Sequence, residues 1–168
     1  MAIFKVEGGH RLHGSVTPQG AKNEALQILS AVLLTPERVV VNNVPQILDI
    51  IQLIELLNKM GVEVEQLSAS SYAFRAADID LEYMRSEDYH NRCRRLRGSV
   101  LMIGPLLARF GVGHIPKPGG DKIGRRRLDT HFLGFQKLGA TFNFDQAEEF
   151  FSVEAKSLKG CYMLLDEA

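Results

Sequence analysis

The chain uses the same punctuation twice. Leu33-Leu34 stands ahead of Pro45 at the spacing at which Leu106-Leu107 stands ahead of Pro118, an offset of 73 residues. Met60-Gly61-Val62-Glu63-Val64 is matched by Leu138-Gly139-Ala140-Thr141-Phe142, an offset of 78. A repeat of this length implies one supersecondary unit that buries its apolar face by stacking on a copy of itself, with insertions falling in loops. The additional residues of the second copy fall between Pro118 and Leu138, so that segment is where the second unit has been elaborated.

Local pattern fills in the unit. Ala21 to Leu34 is rich in helix formers and almost wholly apolar after Glu24, the pattern of a helix covered on most sides. Thr35-Pro36 breaks it, and Arg38 to Val44 reads as a strand. Leu48 to Lys59 repeats apolar residues at helical spacing, with Gly61 placed to cap its end. Val62–Glu65 and Ser71–Arg75 alternate as two strands. In the second half, Leu96 to Leu107 reads as a mostly apolar helix. Two helix–strand–helix–strand–strand units are therefore predicted. Outside them, Ile3–Glu7 and Leu12–Val16 read as short strands, and the run from Lys159 to Ala168 as a strand entering a loop.

The 168 residues carry 20 basic and 20 acidic side chains, but the balance is uneven. Residues 85–131 hold 11 of the Lys and Arg and only four acids, Glu87, Asp88, Asp121 and Asp129. A local excess of this kind attracts anions, or is simply a solvated basic face. No apolar run has membrane-spanning length and the start is not a secretory signal. Cys93 and Cys161 have neither metal-ligand nor disulfide spacing, which fits a reducing cytoplasm; His10, His13, His90 and His114 do not cluster with acids or cysteines at ligand spacings, so no metal or cofactor is expected.

Within the basic segment, Pro118-Gly119-Gly120-Asp121-Lys122-Ile123-Gly124-Arg125-Arg126-Arg127-Leu128-Asp129-Thr130-His131 sets a carboxylate on a double-glycine loop ahead of Lys122 and three consecutive arginines. Glycines permit close approach of a ligand, and arginine forks suit phosphate. The segment reads as a loop that handles an anion and can move a proton through Asp121. At the other end of the chain, Gly20-Ala21-Lys22-Asn23 places a lysine at the start of a helix, where the dipole also favours anions.

These residues, with Asn43-Val44-Pro45, Arg97-Gly98-Ser99 and Gly104-Pro105-Leu106-Leu107-Ala108-Arg109-Phe110-Gly111, resemble the enolpyruvyl transferases, in particular those acting on UDP-N-acetylglucosamine. The resemblance covers the whole chain in order, as the N-terminal portion of a longer family protein. It implies an α+β fold of inside-out α/β repeats, βαβαββ units of which about two of the three in one domain are present, at about 21–90 and 91–168. Residues 1–20 are then strands belonging to the second domain of the family. It implies transfer of the enolpyruvyl group of phosphoenolpyruvate to the 3′-hydroxyl of the UDP-sugar with release of phosphate, the first committed step of peptidoglycan synthesis and hence of cell-wall biogenesis. The implied partners are those two substrates and the C-terminal domain, with no nucleic acid and no membrane insertion; self-association of the chain is a further possibility.

Carried over by motif, Lys22 and Asn23 meet phosphoenolpyruvate and the sugar, and Arg97 helps bind the ligands. Arg126, Arg127, Leu128, Asp129 and Thr130 hold the uridine diphosphate part. Asp121 and Lys22 are the catalytic candidates. Asp121 stands where the family more often has a cysteine, the residue that protonates the phosphoenolpyruvate methylene and is alkylated by fosfomycin. His131 reads either as a residue of the site or as one packed in or behind it. Two alternatives stay open: the sister transfer to shikimate 3-phosphate, and a non-catalytic nucleic-acid-binding module, against which counts the lack of aromatics among the arginines. Asp and Arg residues the family supplies from its C-terminal part are absent, so the chain alone is expected to be inactive.

Overall fold

A computed structural model describes residues 3–116, 128–146 and 150–164. It contains the expected unit twice. The first runs α1 (Lys22–Ala31), β1 (Arg38–Val41), α2 (Leu48–Lys59), β2 (Glu63–Ser68) and β3 (Ser71–Arg75). After a linking helix α3 (Glu87–Arg95), the second runs α4 (Ile103–Phe110), β4 (Val112–Pro116), α5 (Asp129–Lys137), β5 (Thr141–Asp145) and β6 (Phe150–Glu154). Each unit closes a three-stranded sheet with its last strand in the middle, in the orders β1-β3-β2 and β4-β6-β5. Both outer strands of each sheet run antiparallel to the central one. The class is α+β.

The helices lie inward and the sheets outward. Leu29, Leu33, Ile50, Leu53, Leu56 and Leu57 are fully buried, and the inner row of the first sheet, Val39, Phe74 and Val64 in register, packs on them. One residue along, the outer row is charged: Arg38 pairs with Glu65 at 2.9 Å and Arg75 with Glu63 at 3.2 Å. That alternation is the period of two expected of a half-buried sheet. A smaller cluster around Ile103, Leu107, Ile115 and Val153 fills the second unit.

Helix α2 and strand β3 have the predicted bounds. Gly61 takes φ 99° after α2, and a side chain there would overlap the Asp78 carbonyl, so the cap needs glycine for both conformation and space. Three expectations are corrected. Residues 3–16 form no strand: Ile3, Phe4, Val6, Leu12 and Val16 are 88–93% exposed, because alternation supplies a face but not a partner edge. Residues 159–164 likewise form no strand. The helix read over Leu96–Leu107 is broken. Arg97–Met102 is a 3₁₀ turn and the α-helix begins at Ile103. At Gly98 the chain presses against α1, where an added Cβ would lie 2.9 Å from Leu26 Cδ2.

Candidate functional site

Lys22 is the first residue of α1 and half-buried; Asn23 beside it is exposed. The turn feeding α1 is wedged against the other end of β1. Gly20 lies so close to Asn43 that any side chain would overlap the Asn43 carbonyl, and Asn43 itself has φ 57°. A small cleft of about 90 Å³ lies between this turn and the end of β1, lined by Gly20, Ala21, Glu24 and Asn43; Lys22 is not among its lining residues. Asp49, in the first turn of α2, forms an ion pair with the Lys22 ammonium. The starts of two helices thus face one place, where unpaired backbone N–H groups and the helix dipoles favour negative charge.

Arg97 joins this end of the molecule. It opens the 3₁₀ turn that packs on α1, with Gly98 seated on Leu26, one helical turn along from Lys22. Arg97 is half-buried and engaged with a partner. Leu128 is the residue before α5, and Asp129 and Thr130 are its first two residues; Asp129 is exposed and also engaged. His131 is exposed on α5, which removes the reading of it as a core histidine. Asp121, Arg126 and Arg127 lie outside the described residues.

Among the described residues, two cations of the basic segment are taken up by the fold. Arg92 donates from Nε to Asp88 at 2.9 Å and reaches Glu55 at 3.5 Å, tying α3 to α2. The Tyr83 hydroxyl donates to the same Asp88 at 2.6 Å; its own pKa is raised, by burial first and by this carboxylate next, while the hydrogen bonds from Tyr83 and Arg92 lower that of Asp88. Arg109 is spent on backbone: its Nη1 donates to Leu33 O at 3.0 Å and Ala76 O at 2.7 Å. A cleft of about 920 Å³ lies beside Arg109 at the C-terminal end of α4; Lys22 is not among its lining residues, and Nη1 of its arginine is already bound to two carbonyls. Cys93 is fully buried and burial pushes its thiol up to about 12, a packing residue and not a nucleophile. Among the described residues no group of three or more His, Cys, Asp or Glu could hold a metal ion, and no helix is long and apolar enough to cross a membrane.

The sequence reading missed Asp49. Nothing local marks it, since an acid in the first turn of a helix is commonplace. The repeat carries a signal: the second helix of each unit has an aspartate in its first turn, Asp49 in α2 and Asp129 in α5.

Residues 6–165 match the family model described as EPSP synthase (3-phosphoshikimate 1-carboxyvinyltransferase). The chain belongs to this family. Among its relatives, it is 57% identical over all 168 residues to the UDP-N-acetylglucosamine 1-carboxyvinyltransferase of Bacteroides fragilis, 56% to that of Bacteroides thetaiotaomicron and 53% to that of Porphyromonas gingivalis. The chain spans 39% of the length of each of these relatives. Of solved structures, the enolpyruvyl transferase NikO from Streptomyces tendae superposes with a TM-score of 0.72 at 21% identity, over 92% of this chain and 33% of that one. An EPSP synthase from Acinetobacter baumannii superposes with a TM-score of 0.63 at 15% identity, over 92% of this chain and 35% of that one. At such identities the structural likeness speaks for the fold alone, and the enolpyruvyl-transferase fold is what this family member has.

Proposed function

We propose that this chain contributes one side of the site of a UDP-N-acetylglucosamine 1-carboxyvinyltransferase. The observation that carries the reading is the identity of 53–57% along the whole chain to relatives so named. The repeat units support it, as does the packing of the 3₁₀ turn opened by Arg97 on the helix that Lys22 begins. In the reaction the 3′-hydroxyl of the sugar gives up its proton to a base of the assembled site and its oxygen bonds to C2 of phosphoenolpyruvate while the methylene C3 gains a proton, giving a tetrahedral ketal. The C2–O bond to phosphate then breaks and a proton leaves C3, so that the enol ether and free phosphate are the products. Lys22 and Arg97 bind the phosphate and carboxylate charge, with the start of α1 adding its N–H groups. Asn23 meets the sugar, and Arg126, Arg127, Leu128, Asp129 and Thr130 hold the uridine diphosphate. Asp121 delivers the proton to C3, which requires that it be protonated when the substrate is bound; a closed loop beside anionic phosphate favours that form, and neighbouring cations oppose it.

The substrates are soluble metabolites of the cytoplasm, where we place the protein, and the product feeds cell-wall biogenesis and so cell shape and division. The remaining part of the site comes from the C-terminal region that the relatives have beyond this chain's span. The chain alone therefore turns nothing over, and the exposed apolar side chains of Ile3, Phe4, Val6, Leu12 and Val16 favour self-association. The test is a chimera in which these 168 residues replace the matching segment of the Bacteroides fragilis relative. Phosphate release is expected from phosphoenolpyruvate with UDP-N-acetylglucosamine in the chimera and not in the chain alone. Release with shikimate 3-phosphate in place of the UDP-sugar would instead favour the sister reaction, and turnover by the chain alone would refute the division of the site.

A further inference from the structure

We infer that Asp49 is a positioning residue for Lys22: its carboxylate, at the start of α2, holds the Lys22 ammonium at the start of α1, where the anionic substrate is received. The inference rests on the reading of Lys22 given above. The two side chains are 42% and 36% exposed, and an ion pair so open to water adds little to folding. Its consequence is geometric. A lysine carries a flexible four-carbon stem and a rotatable head, so a fixed partner is what sets the position of its ammonium. Asp49 is short, and the dipole of α2 favours its charge. Helices α1 and α2 pack on each other through the buried core, so the carboxylate is a fixed post for the ammonium.

The head has three donors. One satisfies Asp49 and two remain for an incoming phosphate or carboxylate, so the pair need not break when substrate binds. The second unit uses the same scheme of residue types. Arg97 opens its first helical segment and Asp129 lies in the first turn of its second helix. In the second unit the cation opens the 3₁₀ turn ahead of α4 and the acid lies in the first turn of α5.

The chimera described above, supplied with both substrates, separates the possibilities through four variants. Asp49→Asn is expected to lower kcat by about 10- to 100-fold, the usual result of a misplaced group, while KM for phosphoenolpyruvate changes less than about threefold because the charge of Lys22 is retained. Asp49→Glu should recover most of kcat. Lys22→Met should lower kcat/KM, and the double variant Lys22→Met with Asp49→Asn should be no worse than Lys22→Met alone, since Asp49 acts through Lys22. The 168-residue chain with Asp49→Asn should melt within about 5 °C of the parent chain; a larger drop marks a structural role and overturns the inference. So does an Asp49→Asn enzyme with unchanged kcat, or a double variant in which the two losses multiply. An inert chimera, or one indifferent to Lys22→Met, overturns the functional reading and the inference with it.

Discussion

Replacing Arg109 by methionine tests what holds the two units together. The guanidinium lies half-buried on α4, in the second unit. It donates to Leu33 O at 3.0 Å, within the 3₁₀ turn that follows α1, and to Ala76 O at 2.7 Å, just after β3. It also lies over the Phe110 ring at 4.7 Å. Methionine keeps the apolar stem and removes both donors. Hydrogen bonds from a charged group contribute about 1.5–3 kcal/mol each. Here both leave one nitrogen and water reaches the site, so a combined loss of about 2–3 kcal/mol is expected. For a chain of this size, 1 kcal/mol moves the midpoint by about 2–4 °C, so Arg109→Met should melt about 5–10 °C lower by far-UV circular dichroism. Arg109→Lys reaches one carbonyl at a time and should recover about half of that loss. An Arg109→Met chain melting within about 2 °C of the parent, or full recovery with lysine, would show that the bridge does not couple the units.

Gly20→Ala places a methyl group on the Asn43 carbonyl, and backbone cannot step aside as a side-chain tip can; a cost of about 1–3 kcal/mol is expected, read as a lower denaturation midpoint together with loss of activity in the chimera. His114 is buried against Phe150, which His90 on α3 also contacts; burial first, then Arg85 on the preceding 3₁₀ turn and His90, lower its pKa, while Glu154 on β6 and Glu82 oppose them. A lowered folded pKa means that the unfolded chain binds the proton more readily, so stability is kept above the ordinary value of 6.5 and lost as pH falls below it. The melting temperature should drop between pH 7 and 5, and His114→Gln should flatten that slope; an unchanged slope would exclude His114 as the cause. An enzyme carrying Asp121 should withstand fosfomycin, because a carboxylate is a far weaker nucleophile than a thiolate; irreversible inactivation of the chimera at stoichiometric dose would disprove this.

Local pattern located most elements because it reports what one segment buries. Leu48–Lys59 shows its stripe of leucines and isoleucines and ends at a glycine, and the helix has those bounds. The same logic failed where the deciding contact is distant. Leu96–Leu107 looks like one helix until Gly98 meets Leu26, more than 70 residues earlier, and residues 3–16 alternate like strands yet find no edge to pair with. At the candidate site, Lys22 and Arg97 are proposed from their motifs. Asp49 is not, since its significance lies in the ion pair.

By itself, the sequence determined the doubled unit, the inward apolar helices and the family, because repeat spacing, periodicity and motif order are properties of the chain read along its length. Only the tertiary structure decided how the charges are used. Arg92 and Arg109 are consumed by the fold, at Asp88 and Glu55 and at two carbonyls, while Lys22 is turned towards Asp49 at the meeting of two helix starts. Charge is written in the residue type. Whether it is spent on a neighbour or held ready for a ligand depends on which distant segment folds against it.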